Sequence, residues 1–200
     1  MKIAVLAADG FQDSEYFLPK IEIEKLGVTT EVLSLRSEPI EIYSFFTRIG
    51  SLDVQKTIEE ANPDDYIGIL VPGGAKSPAI LAESTAAMAF VRQINAGRKL
   101  VAPICRGTLL VAKSDIVRGR RITGFHMREQ YPDLVVQPTV EKFGGLWSDY
   151  EPVVVDGNLI SSRHPDDVPQ FASAIRNWLK VHADIAERSQ ATITIKHEEA

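Results

Sequence analysis

Cys105 is the one cysteine of this chain, and it stands where an apolar, β-prone run gives way to helix formers. The stretch Lys99-Leu-Val-Ala-Pro-Ile-Cys-Arg-Gly-Thr-Leu-Leu-Val-Ala112 reads as strand, nucleophile, one residue, glycine, helix. That order is a nucleophile elbow, in which a sharp turn exposes the side chain and the following helix aims its N-terminal N–H groups at it. A thiol so placed is expected to ionise below the value of about 8.5 for a free cysteine. The alternative is a small buried hydrophobe, for which neither Gly107 nor the switch from strand to helix would be needed.

Other side chains could serve the same chemistry. Glu15 falls in the first turn of an expected helix, where its carboxyl either meets the sulfur and shares a proton with it or stays exposed and complements the helix dipole. Gly73 and Gly74 follow an apolar run; their amides could surround a developing oxyanion, or the pair could mark a turn. Of four histidines, His126 and His164 follow expected strands and are the candidates for a base, while His182 and His197 read as surface residues. Arg106 could lower the thiol pKa, hold an anionic group, or face solvent or a neighbouring subunit. Arg48, before Gly50, could reach the same rim. No His, Asp and Glu spacing suggests a metal, and no cofactor motif is visible.

These residues need elements to carry them. Strands are expected at 3–7, 30–35, 66–71, 100–104, 122–125, 153–155 and 159–161, with Asp156-Gly157 as a hairpin turn. Helices are expected at 15–26, closed by Gly27, at 54–61 after Asp53, at 77–95, after the elbow, and at 166–181 with Phe171, Ile175, Trp178 and Leu179 on one face. Continuously apolar strands alternating with helices imply a mainly parallel sheet covered on both faces. In such a sheet ligands collect at the carboxyl ends of the strands, which is where Glu15, Gly73, Cys105, His126 and His164 would fall. The segments 39–50 and 137–150 read as loops that shape the pocket. The chain divides into one domain over 1–185 and a polar extension over 186–200.

Net charge is −5 with acids and bases interspersed, so no basic face for nucleic acid is expected. No apolar stretch approaches the roughly 20 residues of a membrane span. The N-terminal Met-Lys-Ile-Ala-Val-Leu-Ala reads as a strand and not as a signal peptide, so a cytoplasmic location is expected.

Taken together, the segments Gly10-Phe-Gln-Asp-Ser-Glu-Tyr-Phe-Leu-Pro19, Val71-Pro-Gly-Gly74, Val101-Ala-Pro-Ile-Cys-Arg-Gly107, Arg118-Gly-Arg-Arg-Ile-Thr123 and Val153-Val-Val-Asp-Gly-Asn-Leu-Ile-Ser-Ser-Arg-His-Pro-Asp-Asp167 resemble the ThiJ/PfpI superfamily. The resemblance implies a flavodoxin-like three-layer fold, related to class I glutamine amidotransferase domains. It implies Cys105 as nucleophile, Glu15 as the buried carboxyl beside it, and Gly73, Gly74 and the Arg106 amide around the oxyanion. It also implies a homodimer or larger homo-oligomer acting on a small-molecule substrate.

Two positions depart from the protease-like branch: Arg106 replaces a histidine after the cysteine, and Ala79 replaces a glutamate after the Gly-Gly turn. Without that imidazole, peptide hydrolysis lacks its general acid. The surviving Glu–Cys pair resembles the glyoxalase and deglycase branch, a cysteine-dependent hydrolase or lyase on small carbonyl or amide substrates. It also resembles the redox-responsive members, whose cysteine oxidises to a sulfinate, so the alternative is a non-enzymatic redox-responsive or chaperone-like protein using the same cysteine.

Overall fold

In the computed structural model, which describes residues 1–127, 129–134 and 136–182, the apolar runs become the inner strands of a seven-stranded sheet. The chain begins with β1 (Lys2–Leu6), β2 (Phe11–Gln12), α1 (Ser14–Glu24) and β3 (Thr29–Ser34). There follow the hairpin β4 (Ile40–Ser44) and β5 (Thr47–Leu52), then β6 (Lys56–Thr57), β7 (Gly68–Val71), α2 (Ser77–Leu81) and α3 (Thr85–Ala96). After β8 (Leu100–Pro103) come α4 (Thr108–Lys113), β9 (Arg121–Ile122), α5 (Gln137–Lys142) and β10 (Leu146–Trp147). The hairpin β11 (Val153–Asp156) and β12 (Leu159–Ser162) precedes α6, a helix across residues 168–182.

The sheet order is β11-β12-β8-β7-β1-β3-β6, parallel except for the antiparallel β11–β12 pair. Strand register explains the two cores. Val32, Val5, Leu70 and Ala102 lie side by side on one face, with Tyr16 and Ile23 of α1 and Phe171, Ile175 and Leu179 of α6 packed over them. Ala4, Ile69, Val101 and Leu159 form the matching row on the other face, under Phe90, Val91 and Ile94 of α3 and Leu110 and Val111 of α4. Each buried large aliphatic side chain contributes about 1.5–3 kcal/mol over its exposed state. The rigid part of the molecule is therefore the sheet with its two helical layers, the flavodoxin-like arrangement the sequence implies.

Four local expectations change. Residues 54–61 are not helical, because the edge strand β6 takes that backbone: Gln55 N–H donates to Val32 O and Ile58 N–H to Ser34 O. The helix expected over 77–95 is two helices, since Ser84 caps α3 by accepting from Ala87 N–H (3.2 Å). The strand expected over 122–125 pairs only at β9; Thr123 N–H goes instead to Ser161 Oγ (2.9 Å) and Phe125 N–H to Cys105 O (3.1 Å). The two expected pocket loops also gain structure, as the β4–β5 hairpin and as α5 with β10. The proposed extension over 186–200 lies outside the described residues. No helix among the described residues is long and apolar enough to cross a membrane.

Candidate active site

The elbow forms as its sequence suggests. Cys105 has φ +58°, a left-handed conformation that costs a residue with a β-carbon about 1–2 kcal/mol. The turn then crosses over β7 so tightly that a β-carbon on Gly107 would lie 2.1 Å from Val71 O. Only glycine permits that crossing, which explains the Cys-Arg-Gly order. Cys105 is buried, 7% exposed as a residue, and lines one wall of a cavity of about 130 Å³.

Glu15 arrives from β1 through α1. Asp13 caps this helix by accepting from Ser14 N–H (2.7 Å), which puts Glu15 in the first turn, pointing inward and fully buried. Its Oε2 accepts from the Gly73 N–H (2.7 Å), and the carboxyl lies within hydrogen-bonding reach of the Cys105 thiol. Oε1 is buried without a partner among the described residues, an arrangement that favours the neutral acid. Burial accordingly raises the Glu15 pKa to about 8, against the downward pull of Gly73 N–H and Cys105 and with a further push from the Asp13 charge. A β-carbon on Gly73 would stand 2.7 Å from Glu15 Oε2 and 2.8 Å from Cys105 Cβ, so glycine is what lets acid and sulfur meet.

The thiol does not behave as the elbow alone suggests. Burial pushes the Cys105 pKa well up, and the adjacent Glu15 charge pushes it further; the Arg106 N–H and guanidinium oppose this without reversing it. The expectation of a thiol ionised below the ordinary range is therefore corrected. The buried pair resists a second negative charge.

The remaining candidates separate. Gly73 spends its amide on Glu15, leaving Gly74 and Arg106 as the backbone donors of the expected oxyanion group. The Arg106 side chain is turned back: its Nη1 donates to Gly74 O (3.0 Å) and to Ala75 O, so it splints the Gly-Gly loop instead of presenting a cation to an anionic substrate. His164 lines the cavity, with Nδ1 accepting from Asp166 N–H (3.3 Å). His126 does not. Its neighbours Phe125 and Met127 line the cavity, while His126 faces Arg163, His164, Asp149 and Asp167; burial first, then the Arg163 and His164 charges, lower its pKa. Arg48 is also outside, exposed on β5 and paired with Glu41 (3.1 Å). The turn that was to direct it inward comes at Phe45–Phe46 and not at Gly50, which pairs inside the hairpin.

Sequence reasoning missed most of the aromatic lining: Phe45, Phe46 and Tyr131. A Phe-Phe dipeptide between two alternating runs was the available signal, though it is not a composition that marks a turn. The assembled site can add a sulfur to a small electrophile, with one acid to move protons and an apolar wall to hold the rest.

With this geometry in view, likeness to known proteins is informative. The sequence profile of the DJ-1/PfpI family matches residues 1–177. The chain belongs to the DJ-1/PfpI family. It is 33% identical over 171 residues to Protein/nucleic acid deglycase 2 of Escherichia coli, covering 85% of this chain and 92% of that one. It is 32% identical over 168 residues to Deglycase TK1284 of Thermococcus kodakarensis, covering 84% and 93%. Among solved structures, a two-domain protein of Anabaena variabilis with DJ-1/ThiJ/PfpI-like and ferritin-like domains superposes with a TM-score of 0.80 at 28% identity, over 90% of this chain and 50% of that one. The DJ-1/PfpI match runs from β1 into α6 and so contains every residue of the cavity.

Proposed function

We propose that the protein is a cysteine-dependent enzyme of the glyoxalase or deglycase kind, acting on small carbonyl compounds. One observation carries this reading: a buried acid lies beside a buried thiol at the wall of a small, largely apolar cavity. Relatives named as deglycases, at about 30% identity over most of their length, support it.

For an α-oxoaldehyde R–CO–CHO the chemistry balances within the site. The Cys105 proton passes to Glu15 as sulfur bonds to the aldehyde carbon, and the new alkoxide takes that proton to give a hemithioacetal. Glu15 then removes the hydrogen on that carbon as a proton while the hydroxyl proton of the hemithioacetal moves to the ketone oxygen, and the enediolate so formed takes a proton from Glu15 on the neighbouring carbon. The aldehyde carbon is oxidised to a thioester while the ketone is reduced to a carbinol, so no outside oxidant is required. Water cleaves the thioester, restoring the thiol and releasing R–CH(OH)–COOH. His164, at the cavity wall, is the further polar side chain available to bind the oxygens. Amide substrates fit less well, because Arg106 stands where an imidazole would protonate the leaving amine.

Wild-type protein should release lactate from methylglyoxal, and Cys105→Ala should release none. Equal rates for the two proteins would overturn the proposal. A second reading rests on the same protonated acid, which could donate to an oxygen on an oxidised Cys105: a redox-responsive role. It expects mild peroxide to add two oxygens to Cys105 and Glu15→Gln to blunt that gain; an unchanged intact mass would remove it.

We place the protein, on the same reading, in a reducing compartment such as the cytoplasm, where Cys105 stays a thiol. A homodimer or larger homo-oligomer also belongs to the proposal, since α1 carries Leu18 and Ile21 about half exposed.

A further inference from the structure

The tip of the β4–β5 hairpin is built from residues that a turn does not ask for. Ser44 pairs with Thr47, so the connection is the two-residue turn Phe45–Phe46. Phe45 has φ +53°, a position in two-residue hairpins that glycine normally fills. Strain of this kind persists where the surroundings impose it. Here the Phe45 N–H donates to Oε1 of buried Gln12 (2.8 Å), and the Gln12 amide nitrogen donates in turn to Asp13 Oδ1 (2.7 Å) and Ser14 Oγ (3.2 Å). The tip is thus fastened to the helix start that carries Glu15, and its position relative to the sulfur is fixed.

Both aromatic side chains line the cavity, although they are 59% and 56% exposed. Phe46 packs on Tyr131 with ring centres 5.4 Å apart, and Tyr131 packs on Phe125 at 6.2 Å. One wall of the cavity is therefore a chain of tilted rings leading from solvent toward Cys105. Arg106, which also lines the cavity, turns its Nη1 to the carbonyls of Gly74 and Ala75. The rings of Phe46, Tyr131 and Phe125 offer no charged group along this wall; a flat apolar group is what it fits.

We propose that Phe45, Phe46 and Tyr131 form an aryl-binding subsite, so that the preferred substrates are α-oxoaldehydes whose ketone carries an aryl group instead of a methyl group. The inference rests on the cysteine-dependent reading above and follows the same balanced step, giving an aryl 2-hydroxy acid.

The test compares phenylglyoxal with methylglyoxal by kcat/KM, taking the wild-type ratio over the variant ratio so that intrinsic reactivity cancels. Phe45→Gly is the main variant, because glycine suits that φ and keeps the hairpin; Phe46→Ala is the second. The aryl-to-methyl ratio should fall about tenfold or more in each. Ile49→Ala, on the same hairpin but outside the cavity, should leave it unchanged. An unchanged ratio in both Phe variants, or a fall as large in Ile49→Ala, would overturn the subsite. A parallel readout needs no turnover: the rate at which phenacyl bromide and bromoacetone alkylate Cys105, followed by intact mass. If the aryl preference appears there and is lost in Phe45→Gly while no α-oxoaldehyde is consumed, the subsite stands and the reaction reading fails. If turnover is found with no aryl preference in either assay, the reaction reading stands and the subsite fails.

Discussion

Glu15 is where the chemistry and the stability of this protein conflict. A carboxyl with a pKa of about 8 in the native state and 4.5 as its ordinary value keeps its proton when folded and loses it when unfolded across that interval. Folding is then favoured least where the unfolded chain is ionised, so stability falls as pH rises from about 4.5 to about 8 and levels off beyond. Glu15→Gln removes this slope. Its unfolding free energy should exceed that of the wild type by a margin that grows from pH 5 to pH 8, toward a ceiling of about 5 kcal/mol, and its melting temperature should rise with it. Thermal melts at several pH values check it, and a constant difference would contradict the buried acid. Activity should run the other way. The wild-type kcat/KM should climb through about pH 8 as Glu15 becomes able to take the thiol proton, and Glu15→Gln should lose a factor of about 10²–10⁴. The thiol gives an independent check. The midpoint for alkylation of Cys105 should lie above the value of about 8.5 for a free thiol. It should drop in Glu15→Gln, where the repelling charge is gone. The sequence identified both members of this pair from their positions after β1 and β8. It could not reveal the sign of the thiol shift, because that depends on how completely the sulfur is buried beside the acid.

Among the elements, the elbow and the hairpin show what local sequence can and cannot convey. The elbow was legible because each of its constraints leaves a mark: an apolar strand, Cys105, and Gly107 where the turn crosses Val71. Gly107→Ala has no room against that carbonyl and should destabilise the protein by about 3 kcal/mol or more, or prevent folding, as denaturant titration would show. The β4–β5 hairpin was not legible. Its turn residues are Phe45 and Phe46, so the usual asparagine or glycine signal is missing, and Gly50 drew attention to the wrong place. The same misfit predicts that Phe45→Gly raises stability by about 1 kcal/mol while changing the cavity. The helix expected over 54–61 failed for a different reason: its backbone pairs with β3, a long-range choice that local propensity does not register.

For the whole molecule, the continuously apolar strands were enough to place a parallel sheet between two helical layers, and the two rows of buried side chains follow from that pattern. What they could not distinguish was which rim residues face inward. Phe125 and Met127 line the cavity and His126 does not, a matter of one residue in an irregular segment. Assembly belongs to this scale as well. The apolar residues on the outer side of α1 predict that sedimentation finds a species larger than one chain, and that the double variant Leu18→Glu/Ile21→Glu shifts it toward the monomer with Cys105 chemistry retained.

Glu15 and Cys105 hang from β1 and β8, the two strands that flank β7. Cys105 follows β8 directly, whereas Glu15 reaches the sulfur through β2 and the start of α1, and β2 pairs with β4 of the hairpin. The hairpin is coupled to the acid: Gly10 N–H donates to Glu41 O and Asp13 N–H to Tyr43 O (both 2.9 Å), so reshaping β4 would move Glu15 relative to the sulfur. A single-residue slip of the central ladder would turn the row of Val5 and Leu70 to the opposite face and pull acid and sulfur apart together. Through Gln12 and these backbone bonds, the hairpin that shapes the pocket is tied to the acid that serves the reaction.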